Sequence, residues 1–278
     1  MLKYRLISFP LLITLLGAIF FWPAGGPWLF AAAAAILLTS ALYEAGKLAL
    51  AVGIPNDPPC LAILALVSAP LLLLPVRAND CVSLRKTLIL FLLFLVFYFW
   101  IAVARRRLES VRKEVGALGV FFFTWTPLMM LALIYRFVSP AAFAFVVCTT
   151  KAMDTGGYIF GMLSSKLPGG NHKIAPSISP KKSWEGFFGG LLLSLVAGWL
   201  FFRFGALSWS MRQTLLAAGI FSFGSFFGDL TESAFKRAAG VKDSGSWLPG
   251  MGGALDLVDS FIYNGMIFWL LFPFLKRG

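Results

Sequence analysis

Nine stretches close to 20 residues long, each nearly free of charge, follow one another along the chain: 6–22, 27–43, 59–76, 87–104, 116–135, 138–160, 184–202, 213–230 and 258–275. About 20 apolar residues in a helix span the roughly 30 Å hydrocarbon core of a bilayer. Lipid offers no partner to a backbone amide, so such segments must satisfy their hydrogen bonds internally. The pattern predicts an all-α, polytopic integral membrane protein with about nine transmembrane helices. No stretch between the runs is long and polar enough for a separate soluble domain, and no internal repeat is visible. The 278 residues are expected to form a single transmembrane domain, with a helical half 1–137 and a motif-bearing half 138–278.

Composition agrees: 59% of residues are hydrophobic and only 13% charged, against about 25% charged in soluble domains. The net charge of +12 does not imply nucleic acid, because the basic residues sit in short loops and no soluble basic face exists to track a backbone. Those loops set topology instead. With the N-terminus inside, inside segments carry fifteen Lys and Arg and outside segments eight, which favours that orientation. The loops 161–183 and 231–257 then face the cytoplasm. Lys3 and Arg5 ahead of an apolar stretch resemble a signal peptide, but the poor cleavage site near Pro23 and the spans that follow favour a retained first helix. Cys60, Cys81 and Cys148 are scattered and far from His172, so no zinc or iron–sulfur spacing exists. Cys60 and Cys148 are expected in the core, and any metal should be a hard cation on carboxylate oxygens.

Charged, Gly and Pro residues crowd into 229–260, between two apolar runs. Carboxylates and ammonium groups at the ends of spanning helices are expensive and usually functional. Asp229, Glu232, Ser233, Lys236 and Arg237 share one face if the helix continues past the eighth run. For Glu232 the favoured expectation is a solvated helix end with an i, i+4 pair to Lys236. Asp229, at the edge of a nearly charge-free run, must be paired, hydrated or metal-bound. Downstream, Pro249 to Gly253 form a turn-rich strip whose glycines allow backbone amides to approach phosphate. Asp256 and Asp259 follow, one turn apart at the head of the last run, where carboxylates also serve as ordinary caps. Upstream, Lys151 and Asp154 neutralise each other or form part of a site. Beyond them, Lys173, Ser179, Lys181 and Lys182 precede Glu185 in what reads as a flexible basic strip suited to phosphate. Walker, dinucleotide, nucleophile-elbow and zinc-protease motifs do not occur, which leaves metal-assisted chemistry on phosphate.

The run S-A-F-K-R-A-A-G-V-K-D-S-G-S-W-L-P-G-M-G-G-A-L-D-L-V-D, from Ser233 to Asp259, resembles the signature of the phosphatidate cytidylyltransferases, also called CDP-diacylglycerol synthases. Ser233, Lys236, Arg237, Lys242, Asp243, Gly245, Leu248, Pro249, Gly252, Gly253, Asp256 and Asp259 match at the family's spacing. Upstream, D-T-G-G-Y-I-F-G, S-P-K-K-S-W-E-G-F-F-G-G and G-D-L-T-E-S resemble further family motifs. Two positions depart: Met251 stands where the family has His, and Leu257 where it has Arg.

The resemblance implies condensation of CTP with phosphatidic acid to CDP-diacylglycerol and pyrophosphate at the cell (inner) membrane. It implies Mg²⁺ on Asp229 and Asp256, with a second cation open and Asp259 in support. Lys236, Arg237 and Lys242 would carry phosphate contacts and, with Asp243, complete the catalytic set. Asp154, Lys173, Ser179, Lys181, Lys182, Glu185, Ser233, Gly252 and Gly253 would bind substrate. The expected partners are CTP, phosphatidic acid, the bilayer and a second copy in a homodimer. The alternatives are a CTP-dependent lipid or polyprenol kinase, and an inactive or transport-related descendant motivated by Met251, Leu257 and the Lys151/Asp154 pair.

Overall fold

The computed structural model describes residues 14–15, 17–22, 24–68, 108–246 and 252–276. The expected run 87–104, most of 6–22, the end of 59–76, Cys81 and Met251 lie outside them. The described helices are α1 (Gly26–Ala51), α2 (Pro58–Ser68), α3 (Leu108–Phe137), α4 (Pro140–Ser164), α5 (Trp184–Arg203), α6 (Met211–Ala238), α7 (Ala254–Val258) and α8 (Asn264–Leu275). A 3₁₀ turn, Asp259–Phe261, separates the last two. Five segments among the described residues are long and apolar enough to cross a membrane: Gly26–Ala51, Val111–Phe137, Trp184–Arg203, Met211–Ala238 and Ala254–Leu275.

Outward-facing side chains identify the solvent. On α5, Phe188, Leu192, Val196 and Trp199 are exposed at helical spacing, and on α6 so are Leu216, Ile220, Phe223 and Phe227. Water would penalise such stripes, whereas lipid accepts them. The protein is a multi-pass membrane protein, and among the described residues its regular structure is helical except for one hairpin. Cys148, expected in the core, is exposed on α4. In a bilayer its weakly polar thiol does not require burial.

Packing divides the chain into two units, 1–126 with 243–257, and 127–242 with 258–278. In the first, α1 lies against α2, and Asn56 donates to the Gly46 and Ile54 carbonyls at 3.1 and 2.9 Å. Lys113 pairs with Asp57 at 2.9 Å, which holds the Asp57 carboxyl below its usual range.

The second unit has an aromatic centre. Phe145 meets Phe201, Trp209 and Phe221 at centroid distances of 5.4, 5.3 and 6.0 Å. Phe145, Phe221 and Phe268 are all fully buried. Asn264 crosses this region, donating to Thr150 Oγ1 at 2.7 Å and to the Phe221 carbonyl at 3.0 Å. Caps set the helix starts: Ser139 accepts from the Ala142 amide, and Ser210 with Gln213 forms a full capping box on α6. Gly240, at φ 71°, ends α6 in the left-handed conformation that glycine adopts freely.

Between α4 and α5 the backbones nearly touch. A Cβ added at Gly156 would lie 2.7 Å from Gly190 Cα, and one at Gly190 would lie 2.5 Å from the Met153 carbonyl. Small residues permit this approach, which dispersion stabilises in lipid. Gly219 on α6 has no neighbour closer than 4.0 Å to an added Cβ. Gly190→Ala is therefore expected to destabilise by about 1–3 kcal/mol through overpacking. Gly219→Ala should stabilise by up to about 1 kcal/mol through helix propensity. Thermal unfolding in detergent checks both, and equal shifts would contradict the tight seam.

The stretch 161–183, expected as a flexible basic strip, contains a hairpin. Strand β1 (Lys173–Ala175) pairs antiparallel with β2 (Ser179–Ser183), Lys173 facing Ser183 and Ala175 facing Ser179. With only two strands, both are edges, so Pro180 is tolerated.

Candidate active site

The second unit holds a cavity of about 520 Å³ at the α4–α5 seam and the hairpin. One wall is cationic and hydroxylic: Lys173, Ser179, Lys181, Lys182 and Ser183 from the hairpin, and Ser165 after α4. Asp154 and Asp229 contribute carboxylates, and Met153, Tyr158, Met162, Phe187 and Phe226 form an apolar side. Ser183 caps α5 by accepting from the Gly186 amide at 3.1 Å. That places the positive end of a 20-residue helix at the cavity, and helix N-termini favour phosphate.

Asp229 is paired. Its Oδ2 lies 3.0 Å from Lys182 Nζ, and its Oδ1 accepts from Ser233 Oγ at 3.2 Å. Lys182 also donates to the Phe226 carbonyl at 3.0 Å and sits 4.4 Å above the Phe226 ring. Asp154 is a hub. Lys151 Nζ and Ser260 Oγ approach its Oδ2 at 2.9 Å each, and Ser225 Oγ donates to Oδ1 at 2.8 Å. Ser225 and Ser260 were not anticipated, since lone serines in apolar runs carry no distinguishing signal. Asp259 Oδ1 accepts from the adjacent Ser260 amide at 2.5 Å. Gly228 packs directly on the Asp259 carbonyl, which accounts for the glycine before Asp229.

Several expected phosphate contacts are engaged elsewhere. Lys236 pairs with Glu232 at 2.5 Å, with side-chain exposures of 11% and 2%. The i, i+4 pair expected at Glu232 is present, but buried rather than solvated. Arg237 donates to the Ile178 and Val241 carbonyls at 3.3 and 3.2 Å, tying the hairpin turn to the end of α6. Glu185 accepts from the His172 amide and meets its Nδ1 at 2.6 Å, bracing the entrance to β1. Lys242 and Asp243 are exposed after α6.

Asp256 belongs to the first unit. Its Oδ2 accepts from the Ser244 amide at 2.9 Å and the Gly253 amide at 2.7 Å, and lies 3.0 Å from Ser244 Oγ. The Gly253 amide, expected to face phosphate, is thus directed at a carboxylate. Gly252 adopts φ 92°, a conformation that bars most side chains. Glu44, unmarked in the sequence reading, joins the same loop from α1: Ala254 N, Leu255 N and Ser244 Oγ donate to it at 3.1, 2.9 and 2.8 Å.

No cluster of three or more His, Cys, Asp or Glu side chains suited to a metal exists among the described residues. Asp229 still offers a hard oxygen donor on a cavity wall rich in hydroxyl groups. Mg²⁺ commonly takes one or two carboxylates and completes its shell with water and phosphate oxygens. The donor chemistry fits that cation.

The sequence profile of the cytidylyltransferase family matches residues 3–275. The chain belongs to the cytidylyltransferase family. A phosphatidate cytidylyltransferase of Staphylococcus epidermidis is 46% identical over 121 residues, 44% of each chain. One from Staphylococcus haemolyticus is 48% identical over 110 residues, 40% of each. Phosphatidate cytidylyltransferase 5, chloroplastic, of Arabidopsis thaliana is 45% identical over 122 residues, 43% of this chain and 29% of the plant protein. The aligned stretch therefore spans less than half the length of these curated relatives.

Proposed function

We propose that the protein is a phosphatidate cytidylyltransferase, condensing CTP with phosphatidic acid to CDP-diacylglycerol and pyrophosphate. The observation that carries this reading is the cavity itself, which sets lysines and a helix N-terminus against an apolar wall on membrane helices. Such a site suits a ligand with a polyphosphate head and a lipid body.

A phosphatidate oxygen bonds to the α-phosphorus of CTP while the α–β phosphoanhydride bond breaks and pyrophosphate departs. Near neutral pH the lipid phosphate is already anionic, so the residues position groups and neutralise charge more than they move protons. Lys173, Lys181 and Lys182 offset phosphate charge, and the first turn of α5 donates toward it. Tyr158, Met162, Phe187 and Phe226 receive the start of the acyl region. Asp229 and Asp256 are the carboxylates that the resemblance gives to Mg²⁺, with Asp259 in support and a second cation open. When bound, Mg²⁺ would neutralise charge on the nucleotide phosphates. Asp154 holds Lys151, Ser225 and Ser260 in one network beside Asp229. Internal neutralisation of Lys151 and Asp154 removes one motive for a transport role.

The test supplies purified protein in detergent with labelled CTP, Mg²⁺ and phosphatidic acid. A labelled lipid with pyrophosphate is the expected result. A phosphorylated lipid with CDP would instead identify a CTP-dependent kinase, and nucleotide binding without turnover would indicate a non-catalytic descendant. Met251→His is expected to raise the rate about tenfold, equivalent to about 1.4 kcal/mol on the barrier, by returning a hydrogen-bonding imidazole. An unchanged rate alongside a severe Lys242→Ala loss would give that role to Lys242.

We also propose that the N-terminus and the motif loops face the cytoplasm, where CTP is, and that the enzyme forms a homodimer. Single-cysteine labelling from each side of sealed vesicles tests the first, and mass measurement in detergent tests the second.

A further inference from the structure

Glu44 is the single acidic residue of α1 and is only 6% exposed. A carboxylate this buried is costly unless its oxygens are hydrogen-bonded. Its donors come from one place. Ala254 N reaches Oε1 at 3.1 Å, while Leu255 N and Ser244 Oγ reach Oε2 at 2.9 and 2.8 Å. The neighbouring glycines leave room for it, since a Cβ at Gly245 or Gly253 would collide with the Glu44 carboxylate.

Ser244 Oγ also lies 3.0 Å from Asp256 Oδ2. One hydroxyl carries one proton and donates to one carboxylate at a time. Asp256 Oδ2 keeps the Ser244 and Gly253 amides in either case, so the hydroxyl is available to Glu44. Glu44 thus fixes the backbone immediately before Asp256 and the serine beside its carboxylate. We propose that Glu44 is a positioning residue for Asp256, acting through Ser244 Oγ and the amides of Ala254 and Leu255. This rests on the cytidylyl-transfer reading, in which Asp256 belongs to the catalytic set.

The test uses the full chain in detergent and compares wild type, Glu44→Gln, Glu44→Asp and Ser244→Ala. Three quantities are measured: kcat and KM for CTP, thermal unfolding, and amide hydrogen exchange across 252–256. Removing an orienting partner behind a functional ligand typically costs about 10–100-fold. Glu44→Gln is expected to lower kcat by that factor, leave KM within about twofold, and speed exchange at 253–255 while α5 stays protected. Ser244→Ala should lower kcat about tenfold and add little to Glu44→Gln in the double variant, because both act on one unit. Glu44→Asp keeps the charge but shortens the reach, and should recover part of the loss.

A merely structural Glu44 would shift the unfolding temperature without separating kcat from KM, and that result overturns the proposal. So does unchanged exchange at 253–255 in Glu44→Gln. If Glu44→Gln does not fold, wild-type kcat in Ser244→Ala overturns it equally. If the wild type itself releases no pyrophosphate, the cytidylyl-transfer reading fails, and the exchange data still decide whether Glu44 organises the Asp256 segment.

Discussion

Asp229→Asn is expected to lower pyrophosphate release about a hundred- to a thousand-fold, the scale seen when one electrostatic contributor is removed from a closed site. The substitution keeps shape and volume, so Ser233 retains an acceptor 3.2 Å away. What changes is charge. Lys182, whose side chain is 15% exposed, loses its carboxylate partner, and a hard cation loses an anionic oxygen. Because the Asp229 side chain is itself 37% exposed, water compensates much of the effect on folding. Activity should collapse while thermal unfolding in detergent moves by only a few degrees. Near-wild-type turnover in the folded variant would remove Asp229 from the chemistry.

The largest expected effect on stability belongs to the Glu232–Lys236 pair. Removing one member of a buried ion pair leaves an uncompensated charge, a loss of about 3–5 kcal/mol, whereas replacing both with apolar residues is often neutral. Lys236→Ala is accordingly expected to unfold at a much lower temperature, and the double change Glu232→Leu with Lys236→Met to recover most of that loss. The double variant also separates two roles for Lys236. Recovery of folding with full activity confines the lysine to α6, and recovery of folding without activity returns it to the phosphate contacts that the motif suggested.

Five of the expected spans, 27–43, 116–135, 184–202, 213–230 and 258–275, were legible because their signal is physical and long, set by the thickness of a bilayer. The run 138–160, interrupted by Lys151 and Asp154, forms the helix α4 without being among the five segments apolar enough to cross. The edges of the spans were less legible. The expected run ends at 43, ahead of Glu44 and Lys47, yet α1 continues to Ala51. A buried carboxylate is tolerated there because two backbone amides and a hydroxyl 200 residues away in sequence arrive to meet it. No local pattern announces a partner that distant. The hairpin was missed for a related reason, since strands of three and five residues carry too few alternations to stand out beside Pro and Lys. At the site, Asp154, Lys173, Ser179, Lys181, Lys182 and Asp229, singled out in the sequence, line one cavity. Spacing could not distinguish a phosphate-facing Lys236 or Arg237 from one held by a neighbouring carboxylate or carbonyl, because both arrangements need the same residues on the same helical face.

The glycine seam between α4 and α5 constrains how this chain can vary. Gly157, Gly161 and Gly186 lie on that seam and also line the cavity, so part of its floor is bare main chain. A floor of peptide groups offers no side chain to exchange, and enlarging Gly186, where an added Cβ would lie 2.7 Å from the Gly157 carbonyl oxygen, would push the helices apart before it reshaped the site. Change in the cavity lining is therefore easier at Tyr158 and Met162, which are exposed, than at those glycines or at Phe187, which is buried among Trp184, Phe188, Phe223 and Phe226. A single fold can in this way keep one half of its binding surface fixed and leave the other open to adaptation.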